Sequence, residues 1–161
     1  IYRKYPLSEL IVHPRIQKEF YKGVPHRDAW AAVSGPWPAV YNGDIFTPED
    51  AAALCRDFPG TNAVMLGRGL MRDPALLRRL RGGPAASAQE LRTYHDRLLE
   101  AYRHRLSGDQ PVMHRMWELW AYLSAGFTRP EPYLKRMRKA KNLSEYRAAV
   151  DALFREQRYT T

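Results

Sequence analysis

A chain of 161 residues that is 45% hydrophobic has the size of one domain, or of one domain and a small appendage, and carries enough apolar surface to exclude wholesale disorder. Lysine and arginine number 26 against 17 acidic residues, and the formal charge of +9 favours polyanionic partners, nucleic acid ahead of a membrane surface. The single cysteine, Cys55, excludes an intramolecular disulfide and a cysteine metal cluster, and no run approaches the ~18 apolar residues of a membrane span.

The opening IYRKYPLSEL lacks the apolar centre of a signal peptide. It begins with Ile1 rather than Met, so the chain is expected to start partway through a larger protein. LIVHPR (10–15) is the first expected strand, and HRDAWAAVSG the first short helix, closed by Gly35. PAVYNGD (38–44) is the second strand. TPEDAAALCRDF follows as a helix, with Thr47 as N-cap, Pro48 in the first position and Glu49 and Asp50 at the positive end of the dipole. Cys55 is expected to pack with Ala51 and Ala52 as a structural residue. NAVMLGRG (62–69) is the third strand, and another helix is expected to start near Asp73-Pro74. This alternation predicts parallel βαβ units.

From residue 84 the pattern changes. GGPAASAQE reads as a linker entering a helix, with Ser87 and Glu90 as a capping box. Leu91, Tyr94, Leu98, Leu99, Tyr102 and Leu106 recur at helical spacing, and Gly108 ends that helix. Further helices are expected over about 112–125, over about 131–140, and after Asn142 with Glu145 as its capping partner. The division expected is an α/β segment over 1–83 and a small helical bundle over 84–161.

Each strand ends in polar residues: His13-Pro14-Arg15, Asn42-Gly43-Asp44 and Gly67-Arg68-Gly69. In parallel α/β folds the ligand site lies beyond the carboxyl ends of the strands. Glycine admits close backbone approach, and an adjacent arginine offers charge-assisted hydrogen bonds to a phosphate. Three such ends in succession point to a phosphate-bearing ligand. No metal-ligand pattern occurs.

RPEPYLKRMRKAK (129–141) holds six basic residues and one acid. Lys135, Arg136, Arg138, Lys139 and Lys141, with Tyr133 beside them, suit a surface that tracks phosphates. A solvated charged face is the plainer alternative. Arg103, His104 and Arg105 form a weaker cluster.

LIVHPRIQKEFYKG, PAVYNGDIFTPEDA and AVMLGRGLMRDPAL resemble the last three strand–loop units of the tRNA-dihydrouridine synthase family, and the closing KAKNLSEYRAAVDALF is similar to its helical part. The resemblance implies the C-terminal part of a TIM (β/α)8 barrel, about three parallel strands, followed by a helical tRNA-binding domain. It implies FMN as cofactor, NADPH as reductant, tRNA as substrate and a cytoplasmic flavoprotein. His13, Asn42, Gly43, Asp44, Gly67, Arg68 and Gly69 match flavin-contacting positions, and Arg15 matches a position near the substrate. The family's general-acid cysteine has no counterpart here, so no catalytic residue is assigned. The chain alone is expected to be inactive, with a second copy or a separate N-terminal half completing the barrel. A non-catalytic RNA-binding fragment and an FMN barrel acting on a small molecule remain open.

Overall fold

The computed structural model describes residues 4–20, 22–34 and 38–160. Gly35, the expected end of the first helix, lies outside them. The chain divides into two compact units, Ile1–Leu70 and Met71–Thr161.

The first unit is built on a parallel sheet of order β1-β2-β3, formed by Leu10–Val12, Ala39–Tyr41 and Ala63–Val64. Val12 pairs with Tyr41, and Tyr41 with Val64, so the carboxyl ends of the strands align. Helix α1 (Arg27–Ser34) and helix α2 (Pro48–Asp57) lie between the strands in the chain. Trp30 of α1 and Leu54 of α2 form a core with Ala39, Tyr41 and Ile45, against which Val12 and Val64 also pack. The Trp30 indole meets the Tyr41 ring edge-on at 5.2 Å and donates to the Thr61 hydroxyl at 3.1 Å. Side chains alternate along a strand, so the opposite face carries Ile11, Val40 and Ala63. Ile11 is 50% exposed. The strands thus form part of an α/β barrel-type sheet whose helix-covered face is packed and whose other face is open.

The start of α2 is as expected and better satisfied. Thr47 accepts from the Asp50 amide, and the Asp50 carboxylate accepts from the Thr47 and Phe46 amides at 2.9 Å. Cys55 departs from expectation, because it is exposed. The buried stripe of α2 runs through Ala51, Leu54 and Phe58, at helical spacing, and this turns Cys55 and Ala52 outward.

The helix expected near Asp73 is also different. The third strand is shorter than the 62–69 expected: it ends at Val64, and a five-residue helix, α3 (Arg68–Arg72), takes in Arg68 and Gly69, while α4 spans Leu76–Leu80. Asp73 is buried between them, where it accepts from the Ala75 amide at 2.9 Å and pairs with Arg79 at 2.8 Å. Arg78 clasps the following linker through the Pro84 and Ala85 carbonyls and reaches Glu90 at 2.8 Å. Those contacts tie α4 to the next helix. They also hold the Glu90 carboxyl down at about 2.

Four longer helices follow: α5 (Ala88–Arg105), α6 (Asp109–Leu123), α7 (Glu131–Lys139) and α8 (Leu143–Glu156). Ser87 and Asn142 cap α5 and α8 as expected. Helix α5 stops at Arg105, and Gly108 at φ 84° opens α6 instead of closing α5. Leu91, Leu99, Met116, Trp120, Leu123, Tyr146, Val150 and Leu153 fill the common core.

A polar network sits inside that core. Trp120 Nε1 donates to the Tyr146 hydroxyl at 2.7 Å, the hydroxyl bonds His95 Nε2 at 2.8 Å, and His95 Nδ1 bonds Asp96 at 2.8 Å. Only one proton order satisfies every atom: Tyr146 donates to Nε2, and Nδ1–H donates to Asp96. Burial pushes His95 below its ordinary 6.5, outweighing the upward pull of Asp96.

Candidate functional site

The three strand ends converge. His13, Asn42, Gly43, Asp44, Gly67, Arg68 and Gly69 line one cavity of about 220 Å³, together with Ile45, Phe46 and Met65. They are adjacent because the strands are parallel and in register, so each chain segment leaves the sheet at the same edge. The aligned ends of the two pairings are Val12, Tyr41 and Val64; the first two run directly into their polar segments, and Met65 and Leu66 separate Val64 from Gly67.

Asp44 organises the floor. One carboxylate oxygen accepts from Arg15 and the other from Arg68. Arg15 also donates to the Gly23 carbonyl, and its side chain is 2% exposed. Its Nε is buried and has no hydrogen-bond partner among the described residues. Two guanidinium groups around one carboxylate leave a net positive cluster beneath the cavity. Arg68 remains partly exposed and lies 5.7 Å from the centre of the Phe46 ring. His13 Nδ1 bonds the Asn42 carbonyl, which fixes the ring and places its proton on Nδ1.

The two loop glycines have different reasons. A Cβ on Gly43 would come within 2.2 Å of the Tyr41 hydroxyl, so packing of the buried tyrosine demands glycine there. A Cβ on Gly67 would meet no atom of the described residues within 4 Å. Internal packing therefore does not account for Gly67, whereas close approach by a ligand would.

Arg15 is not part of an open surface. It is a buried strut, and the surface contact expected of it from the sequence does not match its placement. Tyr133 is likewise buried, with its ring in the helical core and its hydroxyl donating to Glu156 at 2.7 Å. The i, i+4 spacing of Tyr133 and Met137, both buried, is the sequence signal for this inward face. Lys135, Arg136, Arg138, Lys139 and Lys141 are exposed, and none forms an ion pair with a described residue. Helix α7 thus presents a mostly basic outer side, on which Arg136 also feels the Glu156 carboxylate. Arg103 does not add to it as freely, because Glu100 pairs with it at 3.0 Å.

Sequence reasoning did not assign Ile45, Phe46 or Met65 to the cavity wall. Their position just beyond two strand ends is the signal that could have done so. No described helix is long and apolar enough to cross a membrane, and the described residues hold no cluster suited to a metal.

A family model described as dihydrouridine synthase matches residues 7–158. Among curated proteins, the chain is similar to a tRNA-dihydrouridine(16) synthase of Cupriavidus necator at 30% identity, over 84% of this chain and 47% of that protein. It is also similar to the tRNA-dihydrouridine(16) synthase of Salmonella typhimurium at 30% identity, over 91% and 47% respectively. The enzyme of that name from Ralstonia nicotianae matches at 38% identity over 47% of this chain and 23% of its own length. The chain spans about half the length of the curated relatives that it matches over most of its own. With its parallel strand ends gathered on one cavity and a helical unit behind them in sequence, the chain belongs to the dihydrouridine synthase family.

Proposed function

We propose that the chain is the C-terminal portion of a cytoplasmic, FMN-dependent tRNA-dihydrouridine synthase, reducing uridine in tRNA at the expense of NADPH. The names of the similar proteins support uridine 16 as the target. The observation that carries the cofactor assignment is the single cavity formed by His13, Asn42, Gly43, Asp44, Gly67, Arg68 and Gly69.

The residues suit the phosphate end of a flavin nucleotide. Arg68 supplies charge, Gly67 leaves room for close approach, and the Arg15–Asp44 pair steadies Arg68 from below. At about 220 Å³ the cavity is smaller than the ~300–1,000 Å³ of sites that enclose a whole small molecule, which fits a tail and not an entire isoalloxazine. When bound, the flavin supplies the hydride for the uracil C5=C6 bond. His13, held by the Asn42 carbonyl, presents Nε2 from a fixed ring. Among residues 1–161 the only cysteine is Cys55, which is exposed on α2 and does not line the cavity, so these residues alone are expected not to reduce uridine. The open sheet face is expected to be covered by a second copy or by a separately made N-terminal half; a well-folded monomer on size exclusion would count against that.

The outer face of α7 is assigned to tRNA. Lys135, Arg136, Arg138, Lys139 and Lys141 give uniform electrostatic attraction to phosphates without base reading. The test of the whole reading is the dihydrouridine content of tRNA from cells lacking the gene, with the purified full-length protein examined for bound flavin. Loss of dihydrouridine and flavin colour are expected, with Arg68→Ala releasing flavin. Normal dihydrouridine and a colourless protein would instead favour a non-catalytic RNA-binding role.

A further inference from the structure

A second cavity, of about 260 Å³, opens between α6 and α7, away from the strand ends in sequence and lined only by the helical unit. Met113 and Met137, both buried in the core, take part in its lining. Trp117, His114, Arg138, Gln110 and Ala140 complete it. The Arg138 guanidinium lies 5.9 Å from the centre of the Trp117 ring. Trp117 is only partly buried, and the His114 side chain is 73% exposed.

We propose that this groove is a stacking site for an unpaired nucleobase, with Trp117 as the platform and Arg138 as the phosphate contact beside it. The size is right for a single ring system and too small for a whole drug-sized ligand. The floor is apolar and polarisable, as a base face requires, and thioether sulfur packs well against aromatic rings. Gln110 contributes an amide whose nitrogen donates to the Lys141 carbonyl at 3.0 Å and whose oxygen is an acceptor that a base edge could use. No described carboxylate lines the groove. Helix α7 and its exit surround it with Lys135, Arg136, Lys139 and Lys141, none in an ion pair with a described residue. A flat π surface set among mostly basic side chains complements a polyanion whose bases are exposed, which is single-stranded rather than duplex RNA. Arg138 stacks on the indole when no base is present and is free to turn to the adjoining phosphate when one arrives.

The inference rests on the assignment of α7 to RNA, and it adds a discrimination that uniform charge cannot supply. The test compares the full-length protein binding a short unstructured RNA strand, a blunt RNA duplex and tRNA. Trp117→Leu keeps an apolar side chain but removes the ring, and it should weaken single-strand binding about tenfold while leaving duplex binding unchanged. Trp117→Phe should bind the single strand nearly as well as the native protein. The single strand should also quench native tryptophan emission more than it quenches that of Trp117→Phe. Equal single-strand affinity for Trp117→Leu and the native protein overturns the stacking site. If charge reversal at Arg136 and Lys139 still weakens both RNAs in that case, the α7 assignment survives without it. If charge reversal changes neither, the assignment of α7 to RNA falls as well.

Discussion

The two units hold their polar groups in opposite ways. In the α/β unit the core is small, built from Trp30, Ala39, Tyr41, Ile45 and Leu54, and one sheet face is open. The working groups there are positioned by ion pairs between distant segments, with Asp44 joined to Arg15 and Arg68. In the helical unit the core runs through α5, α6, α7 and α8, and it encloses its own polar network. Its candidate RNA groups project outward from a helix whose other side is anchored by Tyr133 and Met137. The difference teaches that a cofactor cavity needs long-range electrostatic placement, whereas a phosphate-tracking face needs only a rigid helix with one side free.

The largest effect is expected in the helical core. Leu153→Ala removes a fully buried side chain and should cost about 2–5 kcal/mol in denaturant unfolding. A cost near zero would deny that α8 anchors this unit. Next, Asp44→Ala leaves the Arg15 guanidinium without its carboxylate. A broken buried pair costs ~3–5 kcal/mol, and partial exposure of Asp44 puts the expected loss near about 3 kcal/mol. Amide exchange should rise in β1 and β2 but not in α6 or α8; equal loosening of both units would break the comparison.

Tyr146→Phe deletes the hydroxyl shared by His95 and Trp120, and should cost about 1–3 kcal/mol. The same network predicts a pH dependence. Burial holds the His95 pKa below its unfolded value of 6.5, so the unfolded chain takes up the proton more readily. The stability contributed by neutral His95 is complete above pH 6.5 and is lost as pH falls through its folded pKa. The side chains facing it set this balance. Asp96 favours the proton, while Arg92 and Arg147 oppose it. Asp96 itself is held below 3.8, so its own contribution disappears only at more acid pH. Urea titrations between pH 7 and 5 should show falling stability, and an NMR midpoint for His95 above 6.5 would reverse the sign. Smallest is Ser87→Ala, which removes an exposed cap from α5 and should cost about 1 kcal/mol by thermal melting.

What could be read from the chain were features decided within a few residues. Thr47, Ser87 and Asn142 cap the helices expected of them, because a cap bonds an amide three positions on. The strand ends carrying His13, Asn42 and Gly67 were legible because alternating apolar strands and helices permit little except a parallel sheet. Cys55 was misjudged by one position on α2, since the neighbouring alanines do not mark a face as strongly as Leu54 does. Arg15 and Tyr133 read as charge and aromaticity available to RNA, and both turned out to be enclosed.

The amino-acid order alone determined the element types, the caps, the strand-end motifs and the basic helix, because these follow from local periodicity and side-chain chemistry. Only the tertiary structure decided that Asp44 binds Arg15 and Arg68 at separations of 29 and 24 residues, and that His95 meets Tyr146 across 51. Such pairings depend on which helical and strand faces are buried together, and no short stretch of sequence contains both partners.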